Sequence, residues 1–548
     1  MPINLMASFR LLQIAIEGCA HGELDSIYAS LALTEQRCGA KVDVLLICGD
    51  FQAVRNAADL AGMACPAKYR AMQSFYKYYS GEATAPCLTI FIGGNHEASS
   101  HLCSLPYGGW VAPNIFFVGH AGVVNVGGVR IGGLSGIYNQ RHYQLGHYEH
   151  PPFSDDDMRS FYHIRELDVM RLMQLRKPLD VFLSHDWPQH IARHGDTQHL
   201  LRRKAFLRQE IDDGSLGSPP AMALLHQLKP SYWFSAHLHV KFAAVVHHAP
   251  STSVARGEGG VGGEGGGSGE GGSRATGGQK AASTRFLSLS KCLPDHDFLQ
   301  LLQVEGDGSP PVVCFDAEWI AVLRATQHLH SSSRERLPLD PDSVARASDG
   351  RTSFVPTAEE VEAVHRCFAA AEHAREQASD PMDTTPSYGA PVVGADTGSD
   401  ARPPPPLAVP LNFSVTAPAY QAGQTIVAPQ APFSESPQTS AFVATFGLEP
   451  NFRKQRGATQ GQRGDGDGRG AGGKAGIQLP APSLPAPPSS LPTPPSLPAP
   501  PRSSDAWAAA APFVPASAGQ APVARPPGAP PARPQEVPIL DEEIDLDD

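Results

Sequence analysis

His237 and His239 bracket a single leucine, and earlier clusters carry the same kinds of side chain: Cys19 and His21, Asp50, Asn95 and His96, then His185. Together they offer imidazole nitrogens, carboxylate and amide oxygens and one thiol. A donor set dominated by nitrogen and oxygen suits manganese, iron or zinc better than magnesium or calcium. Two such ions about 3.5–4 Å apart can activate a water and brace the attacking and leaving oxygens at phosphorus. The residue types point to metal-dependent phosphoester hydrolysis.

The spacing says how these side chains are delivered. In an extended segment residues i and i+2 face the same side, so the rings of His237 and His239 would reach one site, and Cys19 and His21 would repeat the device. Strands are expected at Leu11–Ile16, Val42–Ile47, Leu88–Ile92, Ile115–Val118, Val129–Ile131, Val181–Leu183, Tyr232–Ser235 and Phe242–Val246. Several are continuously apolar, as in sheets covered on both faces. Ile16, Ile47, Ile92 and Leu183 are each followed within three residues by a candidate ligand, the usual place for α/β sites. The expected class is α/β, a β-sandwich flanked by helices (αββα) with a crevice along one edge.

Composition separates this part from the rest of the 548 residues. Residues 1–250 carry 21 Lys+Arg against 21 Asp+Glu, so the net charge of −12 falls wholly on the remainder. A neutral catalytic half exerts no global pull on polyanions, and any nucleic-acid contact must be local. The nine cysteines form no CxxC pair, which argues for a reducing compartment and free thiols. No stretch reaches the roughly 18 apolar residues of a membrane span. Arg10 interrupts the mildly apolar start and no small-residue cleavage site follows, so a soluble, intracellular protein is expected.

Four segments follow from this: a catalytic domain over 1–250, a Gly-rich disordered insert over 251–281, a region over 282–334 packing on the core, and a mostly disordered tail over 335–548. In the third, Thr284–Pro294 restores order, and Val312, Val313, Phe315, Trp319 and Ile320 are expected to return to the core. In the fourth, Thr357-Ala-Glu-Glu360 has the form of a cap for a short helix to Ala371. The Pro/Ala/Ser tract 476–535 has nothing to pack, and Ile539–Asp548 forms an acidic tail.

The segment 136–162 concentrates Tyr138, Arg141, His142, Tyr143, His147, Tyr148, His150 and Tyr162. Such rings stack on unpaired bases at about 1–3 kcal/mol each, while cations touch phosphate. Arg55, just after Asp50, is a candidate phosphate contact. Arg202, Arg203, Lys204 and Arg208 form a basic cluster equally consistent with a solvated helix face.

The ordered series Cys19-Ala-His21, Gly49-Asp50, Gly94-Asn95-His96-Glu97, His185 and His237-Leu-His239 resembles the calcineurin-like metallophosphoesterase superfamily. Its wording is narrower still. Cys48-Gly-Asp-Phe-Gln-Ala-Val-Arg-Asn56, Leu105–Asn114, Ser184-His-Asp-Trp-Pro188 and Ser235–Phe242 are similar to the RNA lariat debranching enzymes over roughly residues 11–250. Thr284–Pro294 resembles the start of that family's C-terminal region, with fainter likeness at Asn412–Thr416 and Pro437–Thr439. The superfamily usually has Asp at the position of Cys19 and Gly at that of Ala236, and Ser290 stands where an acidic residue is expected.

The resemblance implies two divalent transition-metal ions, Fe2+, Zn2+ or Mn2+. Cys19, His21, Asp50 and His239 would hold one; Asp50, Asn95, His185 and His237 would hold the other. His96 would protonate the departing 2′-oxygen, with Glu97 and Asp186 orienting imidazoles. The substrate implied is branched lariat intron RNA, cleaved at its 2′-5′ phosphodiester, and nuclear residence would follow. Segment 136–162 resembles the loop by which the family recognises lariats, making Tyr138, Arg141, His142, Tyr143, His147 and Tyr148, with Arg55, the substrate-binding candidates. Two rivals remain: a metallophosphoesterase for other nucleotides or phosphoproteins, and a non-catalytic scaffold whose Pro-rich tail recruits protein partners.

Overall fold

A computed structural model describes residues 10–249, 282–336, 339–348, 350–378, 405–425 and 427–448. The Gly-rich insert, the tract 476–535 and the acidic end lie outside the described residues. Strands β1 (Arg10–Glu17), β2 (Val44–Ile47), β3 (Leu88–Phe91), β4 (Gly109–Ala112), β5 (Ile115–Phe117), β6 (Ala121–Val126) and β7 (Val129–Leu134) come first. They are followed by β8 (Val181–Ser184), β9 (Tyr232–Ser235), β10 (Phe242–His247), β11 (Ser283–Ser288), β12 (Leu299–Gly306) and β13 (Val313–Phe315). One sheet runs β12-β1-β2-β3-β5-β4, the other β10-β11-β9-β8-β7-β6-β13.

Side-chain parity explains why the strands read as unbroken apolar runs. Leu12, Ile14, Ile16, Val44, Leu46, Ile90, Val181, Leu183 and Phe234 fill the space between the sheets. Their neighbours Ala15, Leu45, Ile47 and Phe91 face outward, under the helix Leu24–Cys38. Phe182, Trp233 and Phe286 do the same on the other sheet, beneath the helices Glu166–Met173, Pro219–Leu228 and Ala317–Thr326. Both faces of central strands such as β2 and β8 are dry, so alternation with polar residues is lost there. The αββα sandwich is the fold.

The region after the insert does more than pack on this core. β11 lies between β10 and β9, β12 pairs antiparallel with β1, and β13 pairs antiparallel with β6. Without these strands, backbone groups of β1, β6, β9 and β10 would lose their ladder partners. Val313, Trp319 and Ile320 are buried as expected, whereas Val312 is 45% exposed.

Ordered structure also continues past residue 335, where a loose chain was expected. Thr357 and Glu360 make the reciprocal capping-box bonds, and their helix runs Ala358–Ala378, beyond Ala371. The Gln438 side chain pairs with both backbone groups of Trp110, at 2.8 Å each, covering the edge strand β4. Phe446 is fully buried. Among the described residues, no helix is long and apolar enough to cross a membrane.

Arg130 on β7 locks the returning chain in place. Its guanidinium grips Asp316 through two 2.8 Å bonds and reaches Glu318 at 3.0 Å. Asp316 also caps the helix Ala317–Thr326, accepting from Trp319 N. Replacing Arg130 with Ala leaves two buried carboxylates without their cation and should cost about 3–5 kcal/mol. Thermal unfolding would register this as a large drop in midpoint; a loss under about 1 kcal/mol would mean that the acids relax into solvent.

Candidate metal centre

Five strand ends deliver the donors. β1 leads to Cys19 and His21, β2 to Asp50, β3 to Asn95 and His96, β8 to His185, and β9 to His237 and His239. Loops rooted in a sheet inherit its rigidity, which a metal site needs.

The local geometry is not the extended one expected from the i, i+2 spacing. His21, Asp50, Gln52, His237 and His239 have φ of 44°, 46°, 59°, 64° and 48°, all in the left-handed region. Each such non-glycine residue costs about 1–3 kcal/mol unless its surroundings over-determine it. The consequence is that His237 and His239 part company. His239 Nε2 sits 3.2 Å from His21 Nε2, while the His237 ring lies 5.0 Å from that of His185.

The ligand-capable atoms of Cys19, His21, Asp50 and His239 all lie within 4.8 Å of one another. On the other side, His185 Nε2 is 3.1 Å from Asn95 Oδ1 and 3.3 Å from Asp50 Oδ1. The second Asp50 oxygen, Oδ2, is 3.7 Å from His21 Nε2. Asp50 therefore turns one oxygen toward each half of the cluster. His96 donates its backbone N–H to Asp50 Oδ1 at 2.8 Å, and its Nδ1 is buried with no hydrogen-bond partner.

Two glycines make this closeness achievable. A Cβ on Gly94 would stand 2.2 Å from Asp50 Oδ1, and one on Gly49 would stand 2.3 Å from His185 Nδ1. No side chain fits at either place.

Burial lowers His21 to about 4 and His237 to about 3, and lowers His239 as well, so these rings are neutral and keep a lone pair. Burial opposes ionisation of Asp50, but His185 and His96 beside it hold the carboxyl well below its usual range. Burial pushes the Cys19 thiol up, with Asp50 adding to the effect, and the sulfur accepts the N–H of His237 at 3.2 Å. Neutral imidazoles at His21, His237 and His239, a His185 ring that burial lowers but Asp50 more than restores, an ionised carboxylate, a sulfur and an amide oxygen are a donor set that fits divalent transition ions.

The supporting contacts differ from those expected. Glu97 accepts from the backbone N–H groups of Phe51, Gln52 and Gly94 instead of orienting an imidazole. It therefore clamps the Asp50 loop to the Asn95 loop, with burial and Asp50 pushing it up to about 7. The orienting partner of His185 is the carbonyl of Cys48, 2.8 Å from Nδ1. Asp186 accepts from the backbone N–H of Tyr138 at 3.2 Å, tying segment 136–162 to the strand end that carries His185.

Sequence reasoning missed three neighbours. Gln52 Nε2 lies 3.2 Å from His21 Nδ1. Lys291 bridges to Cys19 across the sheet end, and its charge helps lower His21 and His239. Glu17 is fully buried without a hydrogen-bond partner, and burial then Asp50 push it well above the carboxylate range. Gln52 lies within the motif around Asp50 and was legible there; a buried acid inside a strand gives no such signal.

The substrate candidates separate into two groups. Tyr138 and Tyr143 lie edge to face at 5.5 Å and are partly exposed, and Arg141 is exposed. His147 instead bonds Asp168 at 2.7 Å and stacks on His120 at 4.1 Å. His142 Nδ1 meets His163 Nδ1 at 2.7 Å, and the Tyr148 hydroxyl donates to Ser160. These three are partly occupied by internal partners. Arg55 is 7% exposed, paired through two nitrogens with Asp59 and through a third with Thr416, so it is a structural residue and not a phosphate contact. Its charge is consumed where it lies.

Comparison with known proteins agrees with the geometry. Residues 12–241 match the family described as calcineurin-like phosphoesterase, and residues 281–451 match the lariat debranching enzyme C-terminal domain. The lariat debranching enzyme of Danio rerio is 44% identical over 465 residues, spanning 84% of this chain and 70% of that protein. That of Homo sapiens is 44% identical over 449 residues, 81% of this chain and 71% of the relative. That of Drosophila melanogaster is 46% identical over 454 residues, 80% and 78% of the two chains.

Proposed function

This chain belongs to the lariat debranching enzyme family, and from that premise we propose that it hydrolyses the 2′-5′ phosphodiester at the branch point of excised intron lariats. The observation that carries the reading is a single buried Asp50 offering one oxygen to each of two donor groups at the strand ends.

Cys19, His21, Asp50 and His239 would hold one divalent ion, and Asp50, Asn95, His185 and His237 the other. Manganese, iron or zinc suits this mixture of nitrogen, oxygen and sulfur. Bound there, the pair supplies an activated water and stabilises charge on the phosphoryl oxygens. The protein's own groups do the rest. Asp50 fixes the His96 backbone, so the imidazole stands beside the cluster, its ring centre 5.8 Å from that of His21. From there His96 gives a proton to the 2′-oxygen as the ester bond breaks, leaving linear RNA with a 5′-phosphate. Tyr138, Arg141 and Tyr143 provide rings and a cation for the nucleotides around the branch.

The test compares three substrates on one metal-analysed preparation: a branched 2′-5′ RNA, a linear 3′-5′ RNA and a phosphomonoester. Turnover of the branched RNA should exceed the others by about a hundredfold or more, a discrimination of roughly 2.7 kcal/mol. Comparable rates on all three would remove the lariat assignment and leave a general phosphoesterase.

A further inference from the structure

Segment 136–162 has internal turns, with Tyr143 N and Leu145 N donating to Asn139 O and His142 O, but it is also held from outside. We propose that residues 331–334, distant from this loop along the chain, form a strap that sets its shape for branched RNA, with Arg334 as its positioning residue. The proposal rests on the debranching reading above and concerns how the same site tells a branch from a linear strand.

The contacts run along both sides of the loop. Gly146 N donates to Ser333 O and His147 N to Ser331 O, each at 3.0 Å, so the strap pairs with the loop as a short ladder would. A Cβ on Gly146 would stand 2.4 Å from Ser331 O, which shows how closely the two backbones run. Arg334 then reaches two further points. Its guanidinium carbon lies 4.6 Å from the centre of the Tyr148 ring, and its Nη2 is 2.5 Å from Asp157 Oδ1 at the start of the helix Asp155–Phe161. One side chain thus joins the middle of the segment to the helix at its C-terminal end.

Both ends of the strap are anchored. Upstream, the helix Ala317–Thr326 is pinned by Arg130 and by Arg171 Nε donating to Thr326 at 2.9 Å. Downstream, the Glu166 carboxylate accepts from Leu339 N, while the Glu166 N–H donates to Tyr143 O at 2.7 Å. Tyr143, a ring offered to substrate, is therefore coupled to the strap through Glu166. The Arg334 side chain is 66% exposed, and an ion pair so exposed adds little to global stability. Its loss should be felt in the loop, not in unfolding.

The experiment uses the full chain carrying Arg334→Ala or Arg334→Lys. With Ala, KM for branched RNA should rise about five- to tenfold, with kcat, metal content and melting midpoint unchanged; Lys should restore part of the loss. Hydrolysis of a small aryl phosphodiester, which needs the metals but no loop, should be unaffected. Amide exchange at Gly146 and His147 should quicken in the Ala variant. An unchanged KM overturns the proposal. So does a raised KM with unchanged amide exchange, because Arg334 would then be touching RNA itself. A fall in aryl-diester turnover equal to the loss on RNA would make its role merely structural. The exchange measurement needs no substrate, so it stands even if wild-type protein shows no preference for branched RNA and the debranching reading fails.

Discussion

Asp50→Asn should abolish most activity together with metal binding. Asp50 is 1% exposed and faces His185 with one oxygen and His21 with the other. An amide presents one neutral oxygen and one N–H donor in the same volume, so it can serve only one half of the cluster, and weakly. Metal stabilisation at phosphorus is worth several kcal/mol, and each 1.36 kcal/mol is a factor of ten. Single-turnover cleavage of branched RNA is therefore expected to fall by about 10³-fold or more. Elemental analysis after dialysis should show metal dropping from near two ions per chain to below one. Retention of both ions with activity within tenfold of wild type would show that Asp50 is not the shared ligand.

His96→Ala makes the complementary separation. Its Nδ1 is a buried atom with no partner, an arrangement that costs free energy and persists at sites where the group has a task. None of the close contacts within the two donor groups involves the His96 ring, and its tie to Asp50 runs through the backbone, which Ala retains. Metal content should therefore stay at the wild-type level while turnover falls by about 10²–10⁴-fold, the usual contribution of a placed general acid. A branched substrate with a leaving group more acidic than a ribose 2′-hydroxyl should recover much of the loss, since it needs no proton. Equal losses on both substrates would assign His96 a structural part and return the acid's role to another group.

These predictions rest on residues whose importance was readable before any fold was known. Strands ending at Glu17, Ile47, Phe91, Ser184 and Ser235 precede the donors, and apolar runs of that length bounded by polar clusters are a local signal. The capping box at Thr357 was equally local and equally legible. Other features were not. β11, β12 and β13 lie after the insert, apart in sequence from the strands they join, so nothing in their composition says where in the sheets they will pair. Arg55 and His147 looked like substrate contacts because a cation and an imidazole carry the same letters whether free or spent. Asp59, Thr416, Asp168 and His120 decide that they are largely spent.

By itself, the sequence determined the chemistry: which donor types exist, that they follow buried strands, and that the result is a metal-dependent phosphoesterase of the lariat debranching kind. The resemblance implied how the donors divide, but spacing did not, and the geometry behind it is tertiary. The left-handed backbone at His21, Asp50, His237 and His239 sends paired histidines to different partners, and that conformation is imposed by packing, not by the preference of those residues. Tertiary structure likewise decided that a segment near residue 333 should hold a loop near residue 146. Spacing reports what a chain can do within a few residues, whereas His21 meets His239 and Gly146 meets Ser333 from far apart along the chain.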